Sequence, residues 1–600
     1  MDGKIVIDPQ IWLDRIKSKK SSPNLNFDSL AKRINEKNLE EFSSKNSQRI
    51  GNVSSGLSPY TGTWSDWEKL HLLRRTGFGF KKSDLALLAN KTMSESVDFV
   101  LTVDPIAPSP PINWYQTVFP DENGLAYGAD WTNNAINSVD IGVLTNLYRS
   151  ESLKVWLMQQ ALNQNISIRE KMVQFWYHFI PVNFDDVYAS SNFFCATNSA
   201  RICYDYMKMF RTNATGNYKQ LIRQIATHPA MMYYLNNQAN SNTAPDENFA
   251  REVMELFTLG NNSGTTYSQN DVVQVAKLLS GWRVQNLNQP NTTTTFVPNL
   301  HDYSSKQFSG FFDNTIIAGT GASELDAFVD MIFSKNTMVA QHICRRLYRF
   351  FIYYDIDENV ETNIIQPLAQ IFIQNNWEIL PVLKVLFKSE HFYDLANRGV
   401  MIKSPFDFLM GNLREFNLGY NVTPATNYYA QYQFLYVISE QGLRPMGQVM
   451  GEVPNVSGWS AFYQKPNFYQ YWINSNTLQK RYTFIQSLFT GFTLILNGTI
   501  ASLKYDEIAY VSSFPNSICA DPNLLVQEVI KFLLPVNLSL EQRNSIKQST
   551  LLSQQINDNY WTTAWNTYVA NPIPKNLSIV KNRLNSLFVH ILQLAEFHLT

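Results

Sequence analysis

The sequence predicts a mainly α fold: a large multi-helix body with long loops and at most a small β-hairpin. Three observations predict it. Helix-start signatures recur along the chain, apolar segments with helical period follow them, and the alternation of a half-buried strand is rare.

The elements follow in order. Residues 1–60 are expected to be an extension outside the main body, with a polar Ser/Asn stretch from Ser43 to Thr63. Ser65-Asp-Trp-Glu68 is a capping box opening DWEKLHLLRRTG, and Gly77 marks the expected stop. Thr92 to Glu95, Ser167 to Glu170 and Ser539 to Gln542 repeat the box; Ser268 with Asp271 and Ser323 with Asp326 are looser versions. Helical periods run through LKVWLMQQAL, VVQVAKLLSGW, LDAFVDMIF and LAQIFIQ. The one good strand candidate is Thr293 to Pro298. Long loops are expected at the Pro-rich DPIAPSPPINW and at NNQANSNTAPDE. The resulting division is an extension over 1–60, a main helical domain over 61–495 and a C-terminal helical segment over 496–600.

Composition narrows the function classes. With 600 residues the chain is too long for one ordinary core. Charged residues are only 16% and aromatics reach 14%, so much surface must be buried or used to meet partners. A net charge of −1 gives no basic excess for general nucleic-acid binding. The four cysteines have no CxxC or metal spacing and are expected to be free, mostly buried thiols. MDGKIVIDPQIWLDRIKSKK is not a signal peptide, and no run of ~18 apolar residues predicts a membrane span. The compartment stays open.

PDENFAREVMELFTLG, residues 245–260, is the most informative stretch. At about 100° per residue, Asn248, Arg251, Glu252 and Glu255 share one narrow stripe on a helix that is otherwise apolar. Such a helix is expected to be largely buried, with the stripe lining an internal polar site. Arg251 precedes Glu255 by four residues and is placed to pair with it. Two carboxylates this close repel each other, which suits Glu252 or Glu255 to proton transfer. A solvated seam or a buried structural network accounts for the same residues.

Other stretches supply candidates to complete the site. HDYSSKQFSG places His301, Asp302 and Lys306 in a loop, where His301 is a candidate catalytic base and the other two candidate ligand contacts. His71 and Arg75 share a helix face in HLLRRTGFGF, and Lys403 lies in IKSPFDF. FWYHF places Trp176 and His178 in a ring-rich helix, which reads as core. Trp459 and Trp472 are expected to lock loops to helices. There is no nucleophile elbow, phosphate loop, dinucleotide fingerprint or His-Glu-x-x-His, so no cofactor or metal is named.

Taken in order, nine stretches resemble the bacterial domain-of-unknown-function 1800 family. They are HLLRRTGFG, REKMVQFWYHF, PDENFAREVMELFTLG, YSQNDVVQVAKLLSGW, HDYSSKQFSG, ICRRLYRFF, IKSPFDFLMGNLREF, MGQVMGEVPNVSGW and WINSNTLQKR. They span roughly residues 65–490. The resemblance implies a mainly helical protein without an established activity. It also implies frequent export and a frequent sulfatase-like neighbour. Where the family has Trp-His-Asn-His-Phe, this chain has Trp176-Tyr177-His178-Phe179. Two functions are weighed. One is a hydrolase or lyase acting on an envelope or extracellular polymer, with Glu252, Glu255 and His301 catalytic and Asn248, Arg251, His71, Arg75, Asp302, Lys306 and Lys403 binding. The other is a non-catalytic partner of a sulfatase-like protein.

Overall fold

A computed structural model describes residues 53–600, apart from 117–118, 122–123, 137–141, 190–192, 261–266, 288, 290, 419–426, 460–471 and 497–498. Most of the 1–60 extension lies outside the described residues. Its last stretch runs along residues 388–391: Tyr60 N donates to the Lys388 carbonyl at 2.8 Å, and Glu390 N donates to the Ser58 carbonyl at 2.8 Å.

The protein is mainly α, as its capping signals dictate. Ser65 opens the helix Asp66–Thr76, with the Glu68 carboxylate accepting from Ser65 N at 2.9 Å. Boxes also form at Thr92 for Met93–Leu101, at Ser268 for Gln269–Leu278 and at Ser539 for Leu540–Ser549. Two expected boxes do not form. The helix Arg169–Phe179 has Ile168 as its N-cap, and Glu170 turns instead to Arg211 at 2.6 Å. Ser323 does not cap Glu324–Ser334, and Asp326 pairs with Arg223 across to the helix Tyr218–Ala226. In both cases a charge-assisted bond to a distant guanidinium displaces the local cap.

Three antiparallel two-stranded ribbons occur among the described residues. The expected strand is present as Thr293–Phe296, and it pairs with Trp282–Gln285 in the register Trp282 to Phe296. Gly281, at φ +88°, ends the preceding helical turn and turns the chain into that ribbon. The others pair Lys306–Gln307 with Ile316–Ile317, and Phe492–Leu496 with Thr499–Leu503.

One cluster of buried apolar side chains extends from Leu70 to Phe597. The end of the chain packs back on the middle: Lys403 N donates to the His598 carbonyl, and Thr600 N to the Met401 carbonyl, each at 2.8 Å. Cys203, Cys344 and Cys519 are buried and in no disulfide; the Cys195 side chain lies outside the described ones. Trp176 is buried, and Trp459 stacks on the buried His178 with ring centroids 5.7 Å apart. No helix among the described residues is long and apolar enough to cross a membrane.

Candidate functional site

The helix that begins at Asn248 changes character part-way. Asn248–Glu252 is α-helical, and Val253–Thr258 continues as a π-helix. Leu259 N donates to the Met254 carbonyl at 2.9 Å, five residues back. Phe249, Ala250, Val253, Met254 and Phe257 are buried as expected. The polar stripe is not. Asn248 is exposed, while Arg251, Glu252 and Glu255 are half-buried at the surface. The expectation of an internal site on this stripe is therefore corrected. The wider turn moves the later residues relative to the earlier ones.

Arg251 also differs from expectation. Its ion pair runs back to Glu247 at 2.9 Å, and its guanidinium donates to the Gln269 side chain at 3.0 Å. Gln269 in turn donates to Glu247 at 2.6 Å, closing a small surface ring. The Glu252 carboxyl takes no part in it. Partial burial, and then repulsion from Glu255, push that carboxyl up to about 7, with Arg251 pulling the other way. Tyr267 is pushed up to about 12 by burial, and Glu255 adds to the effect. Tyr234 is raised by burial too, with Asp186 and Glu252 adding negative charge beside it. Glu252 thus sits half-desolvated among a second carboxylate and two phenols.

His301 and Lys306 do not meet this stripe. They close on a residue that the sequence had not marked, Glu324. His301 Nε2 lies 2.8 Å from one Glu324 oxygen and Lys306 Nζ 2.7 Å from the other, and all three side chains are 0% exposed. Gly321 N donates to the same carboxylate at 2.8 Å, and His301 Nδ1 lies 2.9 Å from the Ser280 carbonyl. These donors hold Glu324 below the usual carboxylate range against its burial. Asp302 is a turn residue, accepting from Ser304 N at 2.8 Å. The helix Gln269–Leu278 packs against both the Asn248–Glu252 helix and the strand bearing Lys306. The joint site expected from these two stretches is not assembled.

Residues 71–599 match one family model, described as a protein of unknown function (DUF1800). The chain belongs to the DUF1800 family. No curated protein and no solved structure matches it.

In this DUF1800 protein two of the remaining candidates do come together. Arg75 and Lys403 line a small cavity, of about 30 Å³, with Arg74, Lys171, Asp407 and Glu415. Lys171 is ion-paired with Asp407, and Arg75 donates to the Asn397 carbonyl at 2.8 Å. Burial pushes Arg74 down to about 10 and Lys403 down to about 8, with Glu415 resisting in each case. Gly79, at φ +59°, packs its backbone closely onto Gly411 in the cavity wall. His71 does not line it: its buried ring lies 3.0 Å from the Phe392 carbonyl, and burial keeps it neutral. By size the cavity suits a water molecule rather than a substrate.

Among the described residues no group of three His, Cys, Asp or Glu could hold a metal ion. Glu324, Glu415 and Lys171 escaped the sequence reading because their partners lie far away along the chain. A burial signal existed for Glu324 in the apolar run LDAFVDMIF that follows it, and for Lys171 in the ring-rich MVQFWYHF that follows it.

Proposed function

We propose that this DUF1800 protein is an acid–base enzyme, a hydrolase or lyase acting on an envelope or extracellular polymer, with Glu252 as its proton-transfer group. One observation carries the reading: Glu252 is half-buried beside Glu255 where the α-helix passes into a π-turn, and among the described residues its carboxyl has no hydrogen-bonding partner. π-turns are rare and concentrate at functional sites. A carboxyl with this affinity for protons is balanced between donating and accepting at neutral pH, where proton transfer is most efficient. Glu255 supplies the negative charge that sets this balance. Arg251, Asn248 and Gln269 on the same face offer donors to a polar polymer. His301, Asp302 and Lys306 take no direct part.

The test is a depolymerisation assay on a panel of acidic and neutral glycans and peptidoglycan. Glu252→Gln is expected to remove activity, by about 100-fold or more, while the fold is kept. Equal activity in the variant contradicts the assignment.

A second reading, a non-catalytic partner of a sulfatase-like protein, is favoured by a different observation. Large apolar side chains are exposed near the C-terminus: Leu540 is 66%, Ile556 89% and Val569 53% exposed. They fall within one 30-residue stretch of the chain, and apolar groups that join into a contiguous exposed patch mark protein contacts. Co-expression with the sulfatase-like neighbour and sizing chromatography tests it: a co-eluting complex lost in Ile556→Asp supports it, and separate elution contradicts it.

A further inference from the structure

Six charged side chains meet at the small cavity beside Gly79, on walls supplied by the helices Asp66–Thr76, Arg169–Phe179 and Pro405–Glu415 and by the chain just before the last of them. Four are cations, Arg74, Arg75, Lys171 and Lys403, and two are carboxylates, Asp407 and Glu415. All but the half-buried Asp407 are buried. A further buried cation, Arg481, backs the cavity: its Nη2 donates to the Lys403 carbonyl at 2.8 Å. Positive charge therefore exceeds side-chain negative charge in a place that water barely reaches.

The carboxylates do not offset the excess. Asp407 is taken by its ion pair with Lys171, and it also accepts from Ser404 Oγ at 3.0 Å. The Glu415 oxygens accept from no donor among the described residues, and burial pushes that carboxyl up, toward its neutral form. Both guanidiniums turn to main-chain carbonyls. Arg74 donates to those of Lys531 at 3.1 Å and Phe532 at 3.0 Å, and Arg75 to that of Asn397 at 2.8 Å.

Lys403 stands apart. Its side chain is buried, its Nζ lies over the Phe597 ring at 4.5 Å, and among the described residues it makes neither an ion pair nor a hydrogen bond. Arg74 Nε and Nη1 are sealed inside protein; Lys403 Nζ is not sealed, and opens into the cavity that Lys403 lines. A buried ammonium without an acceptor is costly, and more so among other cations, so it calls for a counter-charge from outside the chain.

We propose that this cavity binds one monatomic anion, chloride in ordinary salt, against Lys403 Nζ and within the field of Arg74, Arg75 and Lys171. The volume of about 30 Å³ exceeds the ~10–15 Å³ that one water needs and admits nothing much larger. A water molecule would fill the space and leave the excess charge unbalanced. The site is independent of Glu252 and stands whether or not that residue is catalytic.

Melting curves of the full chain at fixed ionic strength, with chloride replacing gluconate, test the proposal. Gluconate is too large for the cavity. Chloride is expected to raise the melting temperature by about 2 °C and to saturate below about 100 mM, because an ion that binds only the folded chain stabilises it by mass action. Lys403→Met, which removes the ammonium and keeps an apolar stem, should abolish that dependence. Crystals of the wild type grown with bromide should show its anomalous signal beside Lys403 Nζ, an outcome that does not require the variant to fold. A melting temperature indifferent to chloride, a rise that survives Lys403→Met, or a cavity without bromide overturns the proposal.

Discussion

Glu252 lies three residues before Glu255 on a turn where the α-helix widens into a π-helix, and its carboxyl is pushed up to about 7. The sign of its effect on stability follows. An acid whose folded-state affinity for protons exceeds the unfolded one stabilises the fold at low pH. That contribution is complete below the unfolded value, about 4.3, and is lost as pH rises through about 7. Glu252→Gln should therefore be more stable than the wild type at pH 8, by roughly 1–3 kcal/mol, and about equal near pH 4. Urea unfolding at the two pH values checks this; a variant less stable at pH 8 contradicts it.

Removing the carboxylate at Glu324 should cost far more. Glu324→Ala leaves His301 and Lys306 enclosed without their acceptor, and losing one partner of a buried ion pair costs about 3–5 kcal/mol. Arg251→Ala, which breaks a surface pair with Glu247, should cost less than about 1 kcal/mol. Chemical denaturation of both variants compares the two; equal losses would contradict the closed triad.

The contact between Gly79 and Gly411 makes an asymmetric prediction. A Cβ on Gly79 would lie 2.7 Å from the Gly411 Cα, at a φ of +59°. A Cβ on Gly411 would lie 3.5 Å from Gly79 N, an ordinary contact. Gly79→Ala should destabilise by about 2 kcal/mol or more, and Gly411→Ala, in a helix interior, should be neutral or slightly stabilising. Melting curves of the two variants decide it, and the reverse order would contradict the close approach.

Much of the fold was legible because helix starts are local. Ser65, Thr92, Ser268 and Ser539 each find their cap partner three residues away, so sequence spacing suffices. Glu170 and Asp326 show where this fails: each has an arginine brought close only by the fold. The apolar face of the 248–257 helix was legible, and its burial follows. The exposure of Asn248 and the turn of Arg251 toward Glu247 were not, since the second acceptor that draws Arg251 that way, Gln269, is brought close only by the fold. His301 was singled out as a candidate catalytic residue and Lys306 as a candidate ligand contact; in the fold both pair with one carboxylate. Their partner was Glu324, hidden because nothing in a sequence pairs residues 301 and 306 with one carboxylate.

The most direct test of the central claim is site-specific carboxyl titration by 13C NMR, comparing the wild type with Glu255→Gln. Glu252 is predicted to titrate near 7 in the wild type and lower in the variant, once the neighbouring charge is gone. A Glu252 midpoint in the ordinary carboxylate range, unmoved by the substitution, would contradict the account.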